Sequence, residues 1–125
     1  MIRADVINKF IEERNYSTYL EIGLDIPSNN FLKIKCLNKE SCDPFLDREV
    51  PASTVPYLTY QMTSDELFNS ISKNHKWDII FIDGLHHKEQ VLRDVINSLE
   101  HLNENGVVIL HDCLPTTEKM QLVPR

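Results

Sequence analysis

The run Trp77-Asp78-Ile79-Ile80-Phe81-Ile82 is almost continuously apolar and stops at Asp83-Gly84, with Leu85, His86 and His87 directly behind it. A strand that is apolar on both faces must be covered on both faces, as a central strand of a parallel sheet is. Val91, Leu92, Val95, Ile96, Leu99 and Leu102 follow at helical spacing and form the strongest stripe in the chain. Asn105-Gly106 is expected to close that helix, with Gly106 suited to a left-handed cap. A second apolar run, Val107-Val108-Ile109-Leu110, then ends in His111-Asp112. Strand, helix, strand in this order imply a right-handed crossover between parallel neighbours. Each strand delivers an acid and a histidine at its carboxyl end, where open α/β sheets bind ligands.

The remaining segments extend the same alternation. Val6, Ile7, Phe10 and Ile11 lie on one face of a helix expected over residues 3–14. Tyr19-Leu20-Glu21-Ile22-Gly23 reads as a strand ending at a glycine. Phe31 to Ile34 reads as a short helix with Ser28 or Asn29 as its N-cap. A weak strand is expected from Leu37 to Cys42, ending at Asp43-Pro44. Pro44, Pro51 and Pro56 mark a loop over 44–56, and Tyr57-Leu58-Thr59-Tyr60-Gln61 carries the aromatic and β-branched residues of a strand. Thr63 and Glu66 make a capping-box pattern before Leu67, Phe68 and Ile71, so a helix starts there. Counted along the chain, these five strands alternate with helices. The expectation is an α/β fold with a mostly parallel sheet.

Length and charge narrow the partners. At 125 residues the chain is expected to be one domain, with a helix at 3–14, a core over 18–112 and a tail over 113–125. The net charge of -6, with lysines and arginines scattered singly, argues against nucleic acid and towards a small molecule. No run reaches the ~18 apolar residues of a membrane span, and Met1-Ile2-Arg3-Ala4-Asp5 lacks a signal-peptide core. Cys36, Cys42 and Cys113 show no paired spacing and read as reduced thiols, which suggests a cytoplasmic protein. The end at Leu122-Val123-Pro124-Arg125, close behind the second site motif, suggests a truncated chain.

Several residues could carry chemistry. Glu21-Ile22-Gly23 reads either as a turn bringing backbone close to a nucleotide-like ligand or as an ordinary strand end. The chain has three glycines in all, so a Walker loop and a G-x-G-x-x-G loop are excluded. Asp43, about 20 residues past Gly23, can accept hydrogen bonds from two vicinal ribose hydroxyls or simply form an Asp-Pro turn. Asp83 and Asp112 end strands expected to be neighbours, and converging carboxylates suit a divalent cation such as magnesium. His111 as a third ligand would move the preference towards manganese, iron or zinc. His86 has the ordinary chemistry of a general base, and His87 reads as the first residue of the next helix. Cys113 reads as a bystander, His75 and His101 as solvated helix ends, and Trp77 as a packing residue.

Together these pieces resemble the class I S-adenosylmethionine-dependent methyltransferases, in particular the small-molecule O-methyltransferases that include metal-dependent sugar O-methyltransferases. The resemblance runs from about Tyr19 to Asp112. It implies a Rossmann-like three-layer sandwich, strand order 3-2-1-4-5, without the family's last strands. It implies S-adenosylmethionine as cofactor, with Glu21 and Gly23 at its methionine end, Asp43 at the ribose, Ser64 and Asp65 by the adenine, and Asp83 on the same cofactor. It further implies magnesium or another divalent cation held by Asp83, His111 and Asp112, with His86 as catalytic base. Ile26 and Pro27 depart from the small residues usual in the family's opening loop.

The function implied is methyl transfer to a small-molecule hydroxyl, which the metal would orient and acidify and His86 would deprotonate. Two alternatives stand beside it: a degenerate, non-catalytic domain that binds a nucleoside or a partner, and a metal-dependent hydrolase using the same Asp/His cluster. An exposed sheet edge would invite a homodimer.

Overall fold

The structure, a computed structural model, describes residues 3–46, 48–83, 87–113 and 118–125, with only the backbone of 112, 113, 118 and 119. Its elements are α1 (Arg3–Arg14), β1 (Thr18–Ile22), β2 (Asn38–Cys42), α2 (Ser64–Ser70), β3 (Trp77–Asp83), α3 (Lys88–Glu100), β4 (Leu102–Cys113) and β5 (Glu118–Pro124), with 3-10 turns at Pro27–Asn29, Phe31–Lys33 and Val55–Tyr57. The strands form one sheet in the order β2-β1-β3-β4-β5. The first four are parallel and β5 runs antiparallel to β4. This is the mostly parallel α/β sheet expected from the alternation of elements, in the Rossmann-like form that the resemblance implies.

The twofold alternation of a strand sorts the apolar residues into two cores. Tyr19, Ile79, Phe81, Val107 and Ile109 face α1, which buries Ala4, Ile7 and Ile11 against them. Leu20, Ile22, Ile80, Ile82 and Val108 face the other way, where Leu67 and Phe68 of α2 and Val95 and Leu99 of α3 cover them. Trp77 is fully buried in this second core. The near-continuous apolar run of β3 is therefore explained by two covered faces.

Several expectations are corrected. The strand expected at Tyr57–Gln61 contracts to a single parallel bridge between Tyr60 and Cys42. Pro56 has no N–H to give a ladder, and Val55–Tyr57 closes into a 3-10 turn. Only Tyr60 then pairs, its N–H donating to Ser41 at 2.9 Å and its carbonyl accepting from Asp43 at 3.1 Å. Beyond Cys113, the region read as a tail contains β5, in which Met120 packs on the α1-side core and Val123 on the other. The Phe31 helix is a 3-10 turn with an uncapped start at Asn30.

The helix end is the fourth correction. α3 stops at Glu100, and Asn105-Gly106 lies inside β4, where the register with β3 slips between Trp77↔Leu102 and Ile79↔Val107. Asn105, not Gly106, takes the left-handed conformation (φ 68). Gly106 is required for a different reason: a Cβ there would lie 2.8 Å from the carbonyls of both Asn103 and Asp78. α3 is also rotated relative to its apolar stripe. Asp94 and Ser98 are buried, while Leu92 and Ile96 are exposed. Asp94 accepts from Ser64 Oγ at 2.5 Å and from Gln90 Nε2 at 2.9 Å, and this polar contact to α2 turns its face inward. His101 is likewise buried, with Nδ1 2.7 Å from the His75 carbonyl, whereas His75 stays partly exposed and stacks on Trp77.

Candidate functional site

β1 has β2 on one side and β3 on the other, so the chain reverses its direction of growth at β1, and its carboxyl end is where an open sheet offers a crevice. Gly23, the first residue past β1, sits at φ 94, and a Cβ on it would come within 3.1 Å of the Asp83 Cβ. The positive φ and the close neighbour both require glycine there. Its N–H donates to the Cys42 carbonyl at 2.9 Å, tying the ends of β1 and β2 together.

A cavity of about 480 Å³ opens over these ends, lined by Gly23, Asp25, Asp43, Phe45, Arg48 and Ser64 among others. That is the size range of small-molecule and cofactor pockets. Asp43 is held rigidly at its wall. One carboxylate oxygen accepts from the Asp25 N–H at 2.9 Å and the other from the Phe45 N–H at 3.0 Å. Each carboxylate oxygen has two lone pairs. Among the described residues neither oxygen has a second donor, so each keeps one acceptor direction, which matches a pair of adjacent hydroxyls. The opposite wall comes from α2. Thr63 caps that helix in a complete capping box with Glu66, and Ser64 behind it is held by Asp94 and by Gln90, which also lines the cavity.

Of the residues expected to hold a cofactor, Gly23, Asp43 and Ser64 thus line one cavity. Glu21, Asp65 and Asp83 do not. Glu21 is 1% exposed on the α1 side of the sheet, accepting from Tyr19 Oη at 2.5 Å and Asn30 Nδ2 at 2.6 Å. Burial raises its carboxyl to about 7, against the pull of these two donors and of Arg3. Asp65 lies towards solvent, 3.4 Å from Arg93. Ile26 and Pro27 line a separate cavity of about 300 Å³ beside the first, where Pro27 opens a 3-10 turn. The bulk of Pro27 is therefore spent on a turn and leaves the larger cavity open.

Sequence reasoning passed over Phe45, Arg48 and Gln90. Arg48 pairs with Asp25, and both line the larger and the smaller cavity alike. A basic residue in a proline-rich loop gives no pattern to find it by, and Gln90 is a polar residue in the first turn of α3, just ahead of the apolar stripe.

Only part of the acceptor side lies within the described residues. His86 lies outside the described residues, as does the side chain of Asp112. His87 is the exposed N-cap of α3 and makes no capping bond with its side chain. Asp83 and His111 do meet. They are register partners on β3 and β4, and His111 Nδ1 lies 3.8 Å from Asp83 Oδ1. Between them enters Arg3, its guanidinium 3.5 Å from Asp83 Oδ2 and 3.3 Å from His111 Nδ1. Among the described residues no group of three or more potential ligands could hold a metal ion. Of the expected ligands, Asp83 and His111 therefore present a divalent cation with a fixed positive charge already beside them, while the side chain of Asp112 lies outside the described residues.

Comparison with known proteins agrees with this architecture. A family profile described as a methyltransferase domain matches residues 40–113. No curated protein sequence is similar to the chain. Among solved structures, the sugar N-methyltransferase KedS8 from Streptoalloteichus sp ATCC 53650 superposes with a TM-score of 0.62 at 14% identity, over 91% of this chain and 49% of that one. CalS10, an amino pentose methyltransferase from Micromonospora echinaspora solved with S-adenosylmethionine bound, gives 0.59 at 13% identity, over 89% and 49%. MycE of the mycinamycin biosynthetic pathway, solved with Mg and S-adenosylhomocysteine, gives 0.57 at 19% identity, over 90% and 32%. The chain spans about half the length of the first two and a third of the last. With the profile covering more than half of the chain, on a sheet of the matching order, the chain belongs to the methyltransferase domain family.

Proposed function

We propose that this domain binds S-adenosylmethionine in the cavity between β1, β2 and α2 and serves methyl transfer to a hydroxyl of a small molecule. The observation that carries the reading is Asp43, a carboxylate fixed by two backbone amides with one acceptor direction left on each oxygen, at the end of β2 beside Gly23. A ribose diol satisfies both directions. Ser64 and the neighbouring Thr63 would flank the adenine, and Gly23 lets the backbone approach the methionine end. Bound there, the cofactor would supply an electrophilic methyl group on sulfur.

The chain's own contribution is positioning and one proton. Holding the two reactants in line replaces a bimolecular encounter and accounts for much of the barrier in such transfers. The acceptor hydroxyl must lose its proton, and His86 is proposed as the base that takes it, by resemblance to the sugar-modifying relatives. The sugar-modifying neighbours KedS8 and CalS10 support a sugar-like acceptor for the same fold.

Calorimetry with S-adenosylhomocysteine tests the cofactor site. Asp43→Ala is expected to weaken binding by about tenfold or more, and an absence of heat with the unaltered protein at millimolar ligand would sink the proposal. His86→Ala is expected to leave that affinity unchanged and to lower turnover by about 10²- to 10⁴-fold. Turnover unaffected by the substitution would remove His86 from its role.

A further inference from the structure

The cluster at the top of the α1-side core is organised around a cation supplied by the chain itself. Strand alternation stacks Tyr19 and Glu21 on β1, Ile79, Phe81 and Asp83 on β3, and Val107, Ile109 and His111 on β4 along one face. The lower members are apolar and hold α1 through Ala4, Ile7 and Ile11. The upper members, Glu21, Asp83 and His111, are polar and end at the first turn of α1, where Arg3 stands. Its guanidinium touches Asp83 Oδ2 and His111 Nδ1 at 3.5 and 3.3 Å, and its charge also reaches Glu21 and Tyr19. Asp83 and His111 are mostly shielded from solvent, and Asp83 Oδ1 has no hydrogen-bond partner among the described residues.

We propose that the Arg3 guanidinium is the resident cation of the Asp83–His111 pair and excludes a divalent metal from it. Two features carry this. The guanidinium already lies in contact with both groups that would have to ligate the metal. A +1 charge three-quarters shielded from solvent, beside groups more shielded still, raises the cost of bringing +2 to the same point above its cost in water, because screening there is weaker. The guanidinium is permanently protonated, so the exclusion holds at any pH at which the protein is folded.

The test is Mn²⁺ binding, followed by the electron paramagnetic resonance signal of the free ion, and it is independent of any methyl transfer. Arg3→Met keeps the length and apolar stem of the side chain and removes its charge. It is expected to bind Mn²⁺ about tenfold more tightly than the unaltered protein, and the gain is expected to vanish in Arg3→Met with Asp83→Asn. Binding by Arg3→Met that is no tighter than that of the unaltered protein would overturn the proposal. Should Arg3→Met fail to fold, the unaltered protein decides alone. Millimolar Mn²⁺ is expected to leave the His111 ring resonances sharp, and their selective paramagnetic broadening would overturn the proposal.

Discussion

Gly23 and Glu21 lie two residues apart at the end of β1 and do opposite things. Gly23 opens the cavity floor, and Gly23→Ala forces a left-handed backbone on alanine and brings a methyl to 3.1 Å from Asp83 Cβ. The expected loss is about 1–3 kcal/mol of stability, read from urea denaturation, together with weaker S-adenosylhomocysteine binding. Glu21 points into the α1-side core, and burial raises its carboxyl from the ordinary 4.5 to about 7. Between those values the folded chain holds more protons than the unfolded one. Its contribution to stability is therefore complete below pH 4.5 and is lost as pH rises through about 7, at up to roughly 1.4 kcal/mol per unit. Glu21→Gln is expected to flatten that part of the profile, so that its urea midpoint gains on the unaltered protein between about pH 5 and about pH 8. Equal slopes would show that the residue titrates normally. At this scale the legible part was the strand ends: Gly23 and Asp43 stand out because a glycine and an acid each follow an extended run. Which face Glu21 takes is set by the register of a strand, and nothing in Tyr19-Leu20-Glu21 marks it. Arg3 was out of reach altogether, being 108 residues from the His111 it touches.

Among the elements, α3 departs most from its pattern. Its stripe would bury Leu92 and Ile96, yet the helix turns Asp94 and Ser98 inward and leaves those two residues 60% and 51% exposed. Leu92→Gln and Ile96→Gln are therefore expected to change stability by less than about 0.5 kcal/mol. Val95→Ala, on the packed side, is expected to cost about 1 kcal/mol or more; the reverse ranking in thermal or urea melts would show that the stripe faces the core after all. The cause was not visible in α3 itself. A stripe of five aliphatic residues wide enough to face two ways is resolved only by Ser64, on a different helix. β3, α1 and the Thr63 capping box were legible because each is specified by its own residues. The strand at Tyr57–Gln61 was not. Its composition favours extension, but a ladder needs a partner with free N–H and carbonyl groups on both sides, and Pro56 and the 3-10 turn leave only Tyr60 to supply them.

For the whole molecule, the alternation of elements pointed to a mostly parallel sheet with right-handed crossovers, and the family resemblance supplied the strand order. The antiparallel β5 was hidden because Met120 and Val123 face different cores, so the segment shows no single apolar face. The central place of β1 has a further consequence, for the order in which the chain is made. Its partner on one side, β2, follows within about 20 residues, since Tyr19 pairs with Lys39. Its partner on the other side, β3, comes 60 residues on, where Tyr19 pairs with Ile79. At about 5–20 residues per second of synthesis, roughly 2–8 s separate the two. Through that interval the other edge of an apolar strand stands unpaired and open to neighbouring chains. Nascent fragments ending between β2 and β3 are expected to pellet on centrifugation, and fragments extended through β4 to stay in the supernatant. Fragments of both lengths behaving alike would mean that something else covers β1 while it waits.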